Sequence, residues 1–204
     1  MTAAPAIPSQ REVGALCELA RLGCRDAVGA LGRLLDVALE MDEPEAWVGR
    51  GPGAIADFLG ALRGELVMVG LRLEGLLAGH LVLLLGDLDA QRLARLLGEL
   101  APRGSSWDSV AESAVMESGN IVGSAFVSAI ADRLGERLLP SVPVLARGGG
   151  RECLEALVEG AASRVALATR FAAPAPADLE GLILLLPEED RLAALLAALE
   201  FAYR

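Results

Sequence analysis

The stretch SVAESAVMESGNIVGSAFVSAIADRLGERL, Ser109–Leu138, decides how the rest of the chain is read. Val115, Val122, Phe126, Ala129 and Ile130 recur at helical spacing and fall on one apolar stripe. Ser113, Glu117 and Asn120, separated by steps of four and three, line a second stripe on the other side. Ser109 with Glu112 three residues on has the form of a capping box at the start. The pattern predicts one long helix that lays its apolar stripe on a sheet and presents Glu117 and Asn120 outward.

A second stretch of the same kind runs over Gln10–Glu40, where Ser9 and Glu12 repeat the capping pattern. Each helix is followed by a proline, Pro44 and Pro143, and these stand 99 residues apart. The same offset lays Leu83, Leu84 and Leu85 on Leu182, Ile183 and Leu184. It also lays Leu93, Leu96, Leu97 and Leu100 on Leu192, Leu195, Leu196 and Leu199. Strand-like pairs precede these leucine-spaced short helices. One is Glu65–Glu74 with Leu76–Leu85; the other is Arg164–Ala172 with Leu179–Leu186, joined by the breaker-rich PAPAD. The short helices themselves are expected over Asp87–Leu100 and Glu188–Glu200. The chain therefore reads as a duplication within one domain, residues 1–204, with a first repeat of about 9–100 and a second of about 108–199. The junction falls around Ala101–Ser105. Hairpins give antiparallel pairing, so the expected fold is α+β: two units related by a pseudo-twofold, one antiparallel sheet, both long helices on one face.

Composition narrows the chemistry. The 204 residues carry 18 basic and 28 acidic side chains, a net charge of −10, which argues against binding nucleic acid or an anionic membrane. Every basic residue is Arg; without Lys there is no Walker A motif and no Schiff base. His80 is the only histidine, so one chain cannot build a multi-His metal site, and its apolar surroundings suit a buried strand residue. Cys17, Cys24 and Cys153 form no C-x-x-C pair and read as buried thiols in a reducing compartment. Mean hydropathy is high at +0.46. Yet Gly75–Gly86 is interrupted by His80, and Ser118–Ala131 carries Asn and three Ser, so neither reads as a spanning helix. The start, MTAAPAIPSQR, lacks the basic and apolar regions of a signal peptide, and a cytoplasmic location is expected.

A carboxamide both donates and accepts hydrogen bonds, so Asn120 can hold a water and a phosphoryl oxygen together and align that water for in-line attack. An acyl-phosphate is already labile and needs positioning more than a strong base. Glu117, one turn away, can pair with a cation on a partner and bring the amide into place.

The wider pattern is Ser113, three residues, Glu117, two residues, Asn120, twenty-two residues, Pro143. It resembles the signature of the CheC/CheX/FliY family of CheY-phosphate phosphatases: Asp or Ser, x3, Glu, x2, Asn, x22, Pro. ESGNIVGSAFVSAIADRLG is similar to the family's helix, and the duplicated architecture extends the resemblance over nearly the whole chain. The resemblance implies an enzyme that hydrolyses the aspartyl-phosphate of a CheY-like response regulator. In it Glu117 salt-bridges the regulator's active-site Lys and Asn120 orients the hydrolytic water, with Ser113 and Pro143 as supporting motif residues. It implies no cofactor of the chain's own, the required Mg²⁺ belonging to the phosphorylated partner. Two motif helices fit CheC better than CheX, and with the sequence reaching Arg204 the flagellar-switch domain of FliY is not expected.

The first copy departs from the signature. Glu18 and Pro44 stand in place, but Arg21 replaces the Asn and Gly14 the Asp or Ser. An Arg accepts no hydrogen bond from water, so this site is expected to be dead, with Arg21 salt-bridged to Glu18 or Glu12. The resemblance also implies a CheD-type deamidase as a further partner, with GGGRECLEALVEG, Gly148–Gly160, as the matching region by position, although its glycines read equally as an ordinary loop before a short helix. The competing reading is a non-catalytic CheC-like scaffold that binds a regulator or such a deamidase; an adaptor unrelated to phospho-regulators keeps the fold and loses the chemistry.

Overall fold

The first long helix, α1 (Gln10–Leu35), buries Leu16, Leu19, Ala20, Cys24, Ala27, Val28, Leu31 and Leu35, a run at three- and four-residue steps. Its start is a complete capping box: the Glu12 carboxylate accepts from the Ser9 backbone N–H at 2.6 Å, while Ser9 Oγ accepts from Glu12 N–H. It stops at Leu35, five residues before Glu40, and the capping Asp36 adopts the left-handed conformation at φ 53°. The chain continues through β1 (Glu40–Met41), β2 (Glu45–Val48), β3 (Leu66–Glu74), β4 (Gly79–Gly86) and α2 (Asp87–Leu96). The second half runs α3 (Ser109–Leu134), β5 (Leu139–Pro140), β6 (Val144–Gly148), α4 (Gly150–Leu157), β7 (Val165–Ala173), β8 (Leu179–Pro187) and α5 (Glu189–Ala202), which among the described residues is the order of the first half with α4 added. This computed structural model describes residues 7–49, 64–97, 107, 109–158, 163 and 165–202, so the junction at 101–105 lies outside the described residues.

Further boundaries differ from the sequence reading. Helix α3 ends before Gly135, whose φ of +65° suits a glycine terminator, and so stops short of Leu138. Ser109 is itself the first residue of α3, its carbonyl accepting from Ser113 Oγ at 2.8 Å, so it does not cap the helix as Ser9 does. Leu76 and Leu77 form the turn between β3 and β4, entered at Gly75 with φ +100°, and are not strand residues.

The described strands all pair antiparallel in one eight-stranded sheet of order β1-β7-β8-β4-β3-β5, with β2 also beside β7 and β6 beside β3. The two hairpins meet at the centre, where Leu83 pairs with Ile183. The short strands that follow each long helix cross over: β1 and β2 join the second hairpin, β5 and β6 the first.

Alternation along the strands divides the core. Val67, Val69, Leu83, Leu85, Leu167, Phe171, Ile183 and Leu185 pack with α1 and α3, so both long helices lie on one face as expected. Leu66, Met68, Val82, Leu84, Leu182, Leu184 and Leu186 form a second cluster with Cys153 and Leu154 of α4. This alternation corrects one part of the repeat alignment. An offset of 99 relates the starts of α1 and α3, of β1 and β5, and of β2 and β6. Applied to Leu83 and Leu182, it would equate residues on opposite faces, because an odd shift turns every side chain of a strand over.

Helix α3 is long and apolar enough, by length and composition, to pass as a membrane span. Its apolar residues belong to the core: Val115, Val122, Phe126, Ala129 and Ile130 are all buried. The Phe126 ring lies over Gly23 of α1, where a Cβ would stand 2.5 Å from the ring. Cys24 and Cys153 are buried free thiols, while Cys17 is only half-buried. His80 is a strand residue opposite Arg72 and Leu186 and is 9% exposed; burial holds its pKa below the usual imidazole value despite the nearby Glu188.

Candidate functional site

The geometry of SAVMESGN follows from its small residues. Ser118 is fully buried and returns its hydroxyl to the Ala114 carbonyl at 2.9 Å, so it brings no unpaired polar group into the core. A Cβ at Gly119 would collide with Val69 of β3, and one at Gly123 would stand 2.7 Å from Leu71. The backbone of α3 therefore lies directly on β3, held there by the absence of side chains. At about 100° per residue, Asn120 falls on the flank of this glycine line away from α1, toward the edge strands β5 and β6. There it is half-buried, while Glu117 and Ser113 are exposed. The carboxamide is thus sheltered and the carboxylate stands outside it. Among the described residues neither makes a hydrogen bond or ion pair, so both are available to a partner.

Pro143 directly precedes β6, and Pro44 directly precedes β2. The segment holding Pro143 is anchored to β3 at Ser141, whose N–H donates to the Arg72 carbonyl at 2.8 Å and whose Oγ accepts from Arg72 N–H at 3.0 Å.

On α1 the corresponding stripe is closed on itself. Arg21 Nη2 lies 2.7 Å from Glu18 Oε2 and Nε donates to the same oxygen at 3.2 Å, the partner expected from the i, i+3 spacing. Gly14 is exposed with no atom within 4 Å of a Cβ position. Gly148–Gly160 contains α4, which turns Cys153 and Leu154 to the sheet and exposes Arg151, Glu152 and Glu155; residues 159 and 160 lie outside the described residues.

One group near the motif helix was not anticipated from the sequence. Asp87, at the start of α2, accepts at Oδ1 from Trp107 Nε1 at 2.8 Å and from Arg147 Nη2 at 2.8 Å and Nε at 3.0 Å. Its Oδ2 accepts from Gln91 at 2.8 Å. The Arg147 guanidinium also lies 5.1 Å from the centre of the Trp107 ring. Burial alone would raise the Asp87 pKa, but the bonds from Trp107, Arg147 and Gln91 outweigh it and hold it below the usual aspartate value. The available signal was Trp107 itself, one of two tryptophans in a chain with 3% aromatics, placed just before the motif helix.

A sequence profile of the CheC-like family matches residues 110–147, the segment that holds Ser113, Glu117, Asn120 and Pro143. The motif helix is CheC-like. The CheY-P phosphatase CheC of Bacillus subtilis (strain 168) is 27% identical over 139 residues, which span 66% of this chain and 65% of that protein, just under two thirds of the relative's length. The fold likeness extends further than the CheC-like segment. The X-ray structure of FliY from Thermotoga maritima superposes with a TM-score of 0.73 at 14% identity, over 97% of this chain and 100% of that one. The middle domain of FliM from H. pylori gives 0.66 at 9% identity, over 94% and 99%. At these identities the likeness establishes the α+β fold shared with FliY. The CheC-like family, in turn, includes CheY-P phosphatases.

Proposed function

We propose that this CheC-like chain hydrolyses the aspartyl-phosphate of a CheY-like response regulator at one site, on α3. The observation that carries the reading is the contrast between the two helices. Asn120 is sheltered, and among the described residues unengaged, beside an exposed Glu117, whereas at the corresponding place on α1 Arg21 is paired with Glu18. Glu117 meets the regulator's active-site cation, and Asn120 accepts from and donates to the attacking water and a phosphoryl oxygen. Mg²⁺ is held by the regulator and screens the phosphoryl charge; this chain supplies positioning alone. The partners are then chemotaxis-type signalling proteins. A cytoplasmic location follows from a regulator partner of this kind.

A second reading keeps the scaffold and drops turnover, supported by α1, whose motif stripe carries the engaged Arg21–Glu18 pair in place of a carboxamide. The chain then binds a regulator or a CheD-type deamidase through its outer surfaces. The two separate in one experiment: phosphate release from phosphorylated regulators, with wild-type protein and with Asn120→Ala. Catalysis predicts that Asn120→Ala abolishes release while the variant still binds the phosphorylated regulator. Glu117→Ala weakens binding and turnover together, since its contact forms in the complex. Binding by the wild type without any acceleration of release refutes the catalytic reading and leaves the scaffold.

A further inference from the structure

We propose that Asp87, Trp107 and Arg147 are positioning residues that set the Glu117/Asn120 flank of α3 against the edge of the sheet carrying Pro143. The proposal rests on the catalytic reading of α3. The three side chains come from three separate elements: the start of α2, the residue two before the first of α3, and the edge strand β6. One carboxylate oxygen gathers donors from two of those places at 2.8 Å each, and the guanidinium covers the indole ring, so the contacts constrain angle as well as distance.

What they constrain matters to Asn120. The Gly119 and Gly123 contacts fix how close α3 lies to β3, and its buried Val115, Val122, Phe126 and Ile130 hold it in the core. The contacts from Trp107 through Asp87 to Arg147 add a restraint at the entry of the helix, beside β6. The register places the tie close to the motif: Arg147 pairs with Val67, and Val69, two residues along β3, carries Gly119. Arg147 is therefore level with the turn of α3 that precedes Asn120, and on the same flank.

The arrangement is confined to the half with the complete motif. At the offset that relates the helices and edge strands, Pro8 and Val48 stand where the second half has Trp107 and Arg147. Neither has a side chain that can donate a hydrogen bond. A clasp needed only to hold this fold together would serve both halves; this one accompanies the half whose long helix carries Asn120.

The test uses the full chain with Trp107→Phe, Arg147→Lys, Arg147→Gln and Asp87→Asn, assayed on a phosphorylated regulator alongside thermal melts. Misplacing a water-orienting group by a fraction of an ångström lowers kcat, so a fall of roughly tenfold is expected with KM and regulator binding little changed. Arg147→Lys retains more activity than Arg147→Gln. Trp107→Phe combined with Arg147→Gln loses no more than the worse single variant, because the groups act as a unit. The second readout needs no turnover: the side-chain amide resonances of Asn120 shift in Trp107→Phe and in Arg147→Gln. Asn120 resonances unmoved in both variants overturn the proposal, whatever the rates. If wild-type protein releases no phosphate from any regulator, the catalytic reading fails, and the Asn120 resonances still decide whether the clasp sets its pose.

Discussion

Replacing glycine by alanine at Gly119 and at Gly14 should change stability in opposite directions, although both lie inside long helices of the same length. Helix propensity alone favours alanine at each by about 1 kcal/mol. At Gly14 nothing lies within 4 Å of the new methyl, so that gain is expected nearly in full. At Gly119 the methyl would overlap Val69 Cγ1 and stand 2.8 Å from Val69 Cβ. Ordinary carbon contacts lie at about 3.5–4.0 Å, so α3 must withdraw by roughly 1 Å. Val69 cannot make room, being β-branched and fully buried. Overpacking of this kind costs about 1–3 kcal/mol, at the upper end here because two atoms of one stiff side chain are struck. Gly119→Ala therefore loses about 1–2 kcal/mol net while Gly14→Ala gains up to about 1 kcal/mol. In a domain of this size each kcal/mol moves Tm by roughly 2–4 °C, so the two variants should melt on the order of 5 °C or more apart. Differential scanning calorimetry measures this directly. A Gly119→Ala protein that melts at or above wild type would refute the claim that α3 rests on β3 through its glycines, and with it the account of how Asn120 is placed.

Three further outcomes are expected. Arg21→Ala and Glu18→Ala should leave phosphate release unchanged and cost less than about 0.5 kcal/mol, since their ion pair is exposed; a loss of release in either would move the working site to α1. Asp87 has a lowered pKa, so its contribution is present above the ordinary aspartate range and disappears as pH falls through the lowered value. Wild type should exceed Asp87→Asn by about 1–3 kcal/mol at pH 7 and converge with it in strong acid, as urea melts at a series of pH values would show; a pH-independent gap would contradict the assignment. Burial pushes the Cys24 thiol up to about 12, whereas Cys17 is half-buried, so a thiol reagent at pH 8 should label Cys17 in native protein well before Cys24, with peptide mapping as the readout.

The long helices were legible because each carries an uninterrupted apolar stripe, and the hairpins because turn residues separate strand-like runs. Their ends were less so: Asp36 is a left-handed terminator that composition does not announce, and Leu76 and Leu77 look like strand until Gly75 turns the chain. The leucine-rich strands misled the alignment for a physical reason. Leu83, Leu84 and Leu85 are all buried, two toward the long helices and one toward the other face, so the sequence shows no alternation from which to read the register. Glu117 and Asn120 were singled out by their spacing, which a helix converts directly into proximity. The Asp87–Trp107–Arg147 cluster was not, because its members are 20 and 60 residues from Asp87 and no local period joins them.

The crossing of the short strands has a consequence for the two halves as separate objects. β1 and β2 complete the edge beside β7, and β5 and β6 complete the edge beside β3, so each half finishes the other's sheet. A fragment containing only the first half would own two strands with nowhere to lie and a hairpin with both edges bare. Such a piece has a natural remedy in a second copy of itself, exchanging strands reciprocally around a twofold axis. The full chain behaves as that exchanged pair made permanent by a covalent tether. Its helices can therefore differ on their outer surfaces, one carrying Asn120 and the other Arg21, while neither partner is able to leave.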